Sequence, residues 1–255
     1  VYVEHVGRLK SEREIMEVYL ALGWLEERYF GNLEEAKVCI EKALKISPTS
    51  GRAHVALVRL EGRMCKGGGD PLSRRKRLEE VCTQTSTKGG VMSVVEDGRL
   101  FNAWARAEVK GGNLDNAREV LRKGMEKYPH DYSLFQAAGR VEERLSNYTG
   151  ARYLYSRSLH LHPSAPTLVA FAMLEAQHCQ PVNTTKVTRL FYEALLLDPR
   201  HGPTYNAFGT FKLRNGHVDA ARTIFERGIM ANCTDVASVY HGYAKVELSE
   251  GNIDK

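Results

Sequence analysis

Seven positions, Glu27, Glu61, Glu108, Glu142, Glu175, Lys212 and Glu247, hold the same place in successive copies of a unit about 34 residues long. After most of them comes Gly-Asn-Leu or a relative: Gly31-Asn32-Leu33, Gly112-Asn113-Leu114, Gly216-His217-Val218, Gly251-Asn252-Ile253. A small residue follows (Ala36, Ala117, Ala151, Ala221), then an apolar pair, then a second small residue (Ala43, Gly124, Ser158, Ala194, Gly228). Pro48, Pro129, Pro163 and Pro199 close the unit. Self-similarity at this period specifies stacked helical hairpins, each burying its apolar face on its neighbours. The expected fold is therefore all-α: a right-handed α–α superhelical solenoid of about seven hairpins. Such an array is normally a surface for holding something long.

Within the copy from Leu100 to Pro129, Leu100, Phe101, Ala103, Trp104 and Ala107 form an apolar stripe at helical spacing. Gly111-Gly112-Asn113 supplies residues tolerant of left-handed backbone where that helix ends. A second helix over about 114–127 turns Ala117, Val120, Leu121 and Gly124 inward, and Pro129 stops it because it cannot donate the next helical hydrogen bond. The inner aromatic pair is Phe101/Trp104 here, Tyr205/Phe208 in the sixth copy and Tyr240/Tyr243 in the seventh. The small residue behind it is Ala105, Gly139, Ala172, Gly209 or Ala244. Between Glu61 and Glu108 the spacing is longer. The extra residues fall among Lys66-Gly67-Gly68-Gly69-Asp70, Arg74-Arg75-Lys76-Arg77 and Lys88-Gly89-Gly90. This predicts an insertion loop over about 66–98, around a degenerate second helix from about Pro71 to Cys82.

Hydrophobic content of 43% is enough for one shared core, and no apolar stretch approaches the roughly 20 residues that span a bilayer. The formal charge of +5 is a mild basic excess. Five cysteines, odd in number and without a C-x-x-C pair, are expected to be reduced and to bind no metal. Asn147-Tyr-Thr, Asn183-Thr-Thr and Asn232-Cys-Thr read as chance matches to the glycosylation sequon. The chain begins at Val1 and stops inside a repeat. It is expected to be one array over residues 1–255, cut from a longer protein.

Aromatic-x-x-aromatic-x-x-x-Glu, then Gly-Asn-x-x-x-Ala-Arg-x-x-x-x-Arg-Gly, resembles the half-a-tetratricopeptide (HAT) repeat of the tetratricopeptide (TPR) class. Trp104, Glu108, Ala117-Arg118, Tyr243, Glu247, Ala221-Arg222 and Glu226-Arg227-Gly228 carry the likeness. Proteins of that class act in RNA processing. Asp198-Pro-Arg-His-Gly-Pro-Thr-Tyr-Asn-Ala207 with Ala220-Ala-Arg222 is similar to chloroplast mRNA-maturation factors for photosystem II transcripts. The resemblance implies an RNA-processing factor in the chloroplast, with the nucleus as the alternative compartment. The fifth copy departs: Gln180-Pro-Val-Asn183 replaces Gly-Asn-Leu and Val187-Thr188 replaces Ala-Arg, while Lys212 stands where glutamate is expected. The repeating glutamates and the arginines after the alanines are read as structural ion pairs between the two helices of one hairpin.

In repeats of this length the first helix lines the concave face. Positions six before, two before and two after the glutamate fall along one side of it. They supply Asn102, Gln136, Asn206 and His241, then Arg59, Arg106, Arg140 and Lys245, then Arg63, Lys110, Arg144, Gln177 and Arg214. Over all seven copies eight of the fourteen residues at the latter two positions are Arg or Lys and none is acidic, the others being Leu25, Met173, Thr210, Tyr29, Gln177 and Ser249. Such a face suits single-stranded RNA, with cations following phosphates and amides reading base edges. The other reading is a protein scaffold within a larger RNA-processing assembly. With no P-loop, G-x-S-x-G or H-E-x-x-H, no enzyme, cofactor, metal or small-molecule substrate is expected. His160 and His162 read as surface residues.

Overall fold

The computed structural model describes residues 11–48, 50–64, 75–76, 78–79, 82, 98–179 and 181–249. Among the described residues there are twelve α-helices and no strand. They are α1 (Glu12–Leu25), α2 (Leu33–Ile46), α3 (Gly51–Met64), α4 (Arg99–Lys110), α5 (Leu114–Lys127) and α6 (Tyr132–Arg144). The rest are α7 (Tyr148–Leu161), α8 (Ala165–His178), α9 (Thr184–Leu197), α10 (Gly202–Arg214), α11 (Val218–Met230) and α12 (Val236–Ser249). The fold class is the expected one, all-α and of the α–α solenoid type. The chain divides into two compact units, Val1–Ala137 and Ala138–Lys255.

In the first unit α1 pairs with α2 and α4 with α5. Arg75, Lys76, Leu78, Glu79 and Cys82 are helical, in line with the expected degenerate helix. The rest of the insertion, 66–74 and 83–97, lies outside the described residues. Gly124 is where α4 presses closest on α5: a Cβ there would sit 2.9 Å from Phe101 Cβ and 3.2 Å from Leu134 Cδ2. A five-residue π-helical turn, Glu26–Phe30, extends α1 and leaves Tyr29 and Phe30 exposed.

In the second unit α8 pairs with α9 and α10 with α11. One continuous core runs through it, with Tyr155, Phe191, Phe208 and Phe225 wholly buried. Tyr155 lies against Gly139 and Phe225 against Gly209, where a Cβ would come within 2.6 and 2.4 Å of the rings, so in these two copies the small residue of the first helix seats an aromatic of the second. The seventh copy differs from expectation. Tyr240 and Ala244 are exposed and Tyr243 only half-buried, while Val239, Gly242 and Val246 turn inward. In complete copies the corresponding face is covered by the second helix of the same hairpin. Here the residues that follow α12 lie outside the described ones.

Two punctuation marks work as anticipated. Helices α2, α5, α7 and α9 each end two residues before a proline, because the residue preceding a proline is driven out of the helical region. Gly31, Gly112 and Gly216 sit four residues after the repeated Glu/Lys position with φ of 66°, 80° and 76°. In the fourth copy Ser146 holds that place at φ 59°. A side chain there is strained, so Ser146→Gly is expected to stabilise the protein by about 0.5–1 kcal/mol. An unchanged or lowered denaturation midpoint would show that the hydroxyl compensates.

Candidate nucleic-acid interface

The repeated glutamates are buried. Glu27, Glu108, Glu142, Glu175 and Glu247 are 4–9% exposed. Burying a carboxylate is costly unless it is paired and hydrogen-bonded, and each of the following is. Glu108 accepts from Trp104 Nε1 at 3.1 Å, Asn113 Nδ2 at 3.2 Å and Arg75 Nε at 3.1 Å. Glu142 accepts from Asn147 Nδ2 at 2.7 Å, while Asn147 Oδ1 accepts the Gly150 N–H at 3.2 Å. In the fourth copy the asparagine at this place, Asn147, therefore has two tasks. Its carbonyl caps the second helix and its amide holds the glutamate of the first.

The arginine pairs run differently from expectation. Arg152 on α7 reaches Glu175 on α8 at 2.9 Å, and Arg222 on α11 reaches Glu247 on α12 at 2.8 Å. Each ties the second helix of one hairpin to the first helix of the next, and so staples copies together. Glu175 also accepts from Lys186 Nζ at 3.2 Å and from the Cys179 thiol at 3.0 Å. Burial pushes the Glu175 carboxyl up, but its bonds from Cys179, Lys186 and Arg152 outweigh that and hold it below its ordinary value of 4.5.

A depressed pKa means that the folded state binds fewer protons than the unfolded chain. The contribution of Glu175 is present in full above the unfolded carboxylate value and is lost as pH falls through the folded one. Stability should accordingly drop on going from pH 7 to below the ordinary carboxylate range. Glu175→Gln should narrow the difference between thermal midpoints at pH 7 and pH 3. An equal difference in both proteins would remove Glu175 from the acid limb.

The exception at Lys212 resolves into a matched change. Lys212 Nζ donates to Thr188 Oγ1 at 3.1 Å, so two departures from the repeat face each other where Arg and Glu stand elsewhere.

The expected ligand positions separate into groups. In the first unit Arg106 and Lys110 are exposed on α4. Arg59 and Arg63 are exposed and converge on Glu27 at 2.6 and 2.5 Å. Asn102 is half-buried, and its Nδ2 donates to Ser133 Oγ at 2.8 Å. Asn102 Oδ1 and Gln136 Nε2 are buried without a hydrogen-bond partner. These two amides sit below the surface instead of presenting their edges to it.

In the second unit Arg140, Arg144, Gln177, Arg214, His241 and Lys245 are exposed, and Asn206 is half-buried. Arg140 and Arg144 border a depression of about 360 Å³ with Glu143, Tyr148 and His178. Tyr148 and His178 stack at 3.9 Å between centroids, a feature absent from the repeat pattern because both residues lie off the three ligand columns. Arg106, Lys110, Arg140, Arg144, Arg214 and Lys245 make no ion pair among the described residues. Arg122, Arg152, Arg189 and Arg222 on second helices are each paired with a carboxylate.

Among the described residues Cys39, Cys179 and Cys233 form no disulfide, and burial pushes the Cys82 thiol up to about 12. No cluster of His, Cys, Asp and Glu among the described residues could hold a metal ion. No described helix is long and apolar enough to cross a membrane. His160 and His162 are exposed.

Comparison with known proteins agrees with this architecture. Profiles described as tetratricopeptide repeat match residues 102–166 and 17–50. A TPR-containing protein of Dictyostelium discoideum is 27% identical over 149 residues, 57% of this chain and 10% of that protein. The type IV pilus assembly protein PilF of Pseudomonas aeruginosa is 24% identical over 163 residues, 62% of this chain and 58% of PilF. The chain thus spans less than two thirds of the length of either relative. The solved PilF structure superposes with a TM-score of 0.60 at 17% identity, over 94% of this chain and 100% of that one. A tetratricopeptide repeat protein from Parabacteroides merdae gives 0.61 at 15% identity, over 93% of this chain and 87% of that one. Two stretches, 17–50 and 102–166, thus match the tetratricopeptide repeat, and the fold is that of the tetratricopeptide solenoids.

Proposed function

We propose that this repeat array is an RNA-binding scaffold that holds a single-stranded segment along the exposed side of its first helices. Its setting would be the RNA processing implied by the half-a-tetratricopeptide resemblance, in an organelle such as the chloroplast. One observation carries the reading. Arg106 and Lys110 in the first unit, and Arg140, Arg144, Arg214 and Lys245 in the second, are exposed and make no ion pair among the described residues, while Arg122, Arg152 and Arg222 are paired with carboxylates. Unneutralised cations repeated from copy to copy suit a ligand with regularly spaced phosphates. Gln177, Asn206 and His241 remain the candidates for base contacts, whereas Asn102 serves as a tie to Ser133.

A second reading is favoured by the tetratricopeptide matches, namely a scaffold for an extended acidic protein segment. Salt titration separates the two. Binding to single-stranded RNA should weaken with a log–log slope of about −0.7 for each phosphate neutralised. A protein whose affinity for an Asp/Glu-rich peptide exceeds that for RNA at every salt concentration would support the second reading instead.

A further inference from the structure

The carboxylate ladder is broken once, and the break carries a site of its own. Where Glu27, Glu108, Glu142, Glu175 and Glu247 are buried anions, the sixth copy places the half-buried cation Lys212. Its ammonium lies over the rings of Phe208 and Phe211, 5.5 and 6.0 Å from their centroids. It gives one hydrogen bond, to Thr188 Oγ1. No carboxylate lies within ion-pairing distance of it among the described residues. The ring faces attract the ammonium, but of its three protons only the one given to Thr188 is used among the described residues, so it keeps donors for an anion.

The space beside it is a depression of about 270 Å³ lined by Thr184, Thr185, Thr188, Phe211, Lys212, Asn215 and His217. Its lining has no acidic residue, whereas Glu79, Glu108 and Glu119 line the depression beside Trp104 and Glu143 lines that beside Arg140. An ammonium, three hydroxyls and an imidazole around one hollow match an oxyanion with several acceptor oxygens. We propose that this hollow binds a phosphate group, with Lys212 as its anchoring cation and Thr188 positioned to bond both the lysine and the anion. The residues are distinct from those of the RNA-binding face, so the proposal stands or falls separately from that reading.

The test is a titration of the full chain with inorganic phosphate at constant ionic strength, followed by amide NMR. Saturable shifts at Thr188, Lys212 and His217 are expected. The double substitution T188R/K212E restores the Arg–Glu pair found in neighbouring copies. It should keep or raise the thermal midpoint while weakening phosphate binding at least tenfold. Lys212→Gln, which removes only the charge, should also weaken binding at least tenfold. O-phosphoserine and a 5′-mononucleotide as parallel ligands identify the source of the phosphate. Tighter binding of one of them names the carrier, and equal binding assigns the site to the free anion. Shifts that fail to saturate, or that persist in both variants, would overturn the proposal.

Discussion

Replacing Trp104 with alanine is expected to cost about 3–5 kcal/mol of unfolding free energy, the range for truncating a large aromatic in a packed core. Trp104 is 8% exposed and sits beside Val120 of its own hairpin and Arg75 of the preceding copy. Its indole N–H also donates to buried Glu108 at 3.1 Å. The alanine variant therefore loses packing and one donor to a buried carboxylate. Arg75 and Asn113 remain on Glu108, so the charge is not left bare. Trp104→Phe is the intermediate change. It keeps an aromatic ring in the core while removing part of the packing and the hydrogen bond, which at a charged acceptor is worth about 1.5–3 kcal/mol. Far-UV circular dichroism during urea unfolding reads both variants without depending on tryptophan emission. A midpoint near wild type for the alanine variant would place the side chain outside the core.

The physical basis of the repeat makes some features readable from residues alone and hides others. Pro48, Pro129, Pro163 and Pro199 constrain their own backbone and that of the preceding residue, so helix ends could be placed closely. Ala36, Ala117, Ala151 and Ala221 are all completely buried, because close helix approach admits nothing larger. The partner of each glutamate was not readable in this way. A periodic chain places an arginine both shortly after Glu142 and 23 residues before Glu175, and either spacing could close an ion pair. Only the stacking of copies decides that Arg152 faces forward. The same ambiguity hid the relation between Lys212 and Thr188. The exposure of these positions was legible: residues two before and two after the glutamate are largely exposed, as helical spacing requires. Residues six before it, including Asn102 and Gln136, lie nearer the neighbouring helix and lose the freedom that a base-reading role needs.

The largest functional effect is expected from charge reversal on that face. Replacing Arg106, Arg140 and Arg144 together with glutamate should abolish affinity for single-stranded RNA. Helical content should be retained, because all three side chains are exposed and none makes an ion pair among the described residues. Each single Arg→Ala should weaken binding to a similar degree across RNA sequences. It should also flatten the salt slope by about 0.7 for each phosphate left unneutralised, since phosphates carry charge but no sequence information. Arg59→Ala and Arg63→Ala form the internal contrast. Both side chains are engaged by Glu27, so their removal should lower stability more than it lowers RNA affinity. Substitution of Asn206 should instead alter the preferred nucleotide at one position and leave the salt slope in place, as expected of a base-reading side chain. Gel-shift titration at several salt concentrations, with circular dichroism on each variant, reads all of these outcomes. If the triple reversal binds RNA as tightly as the parent, the phosphates lie elsewhere. The six unpaired cations would then be left to an acidic protein partner.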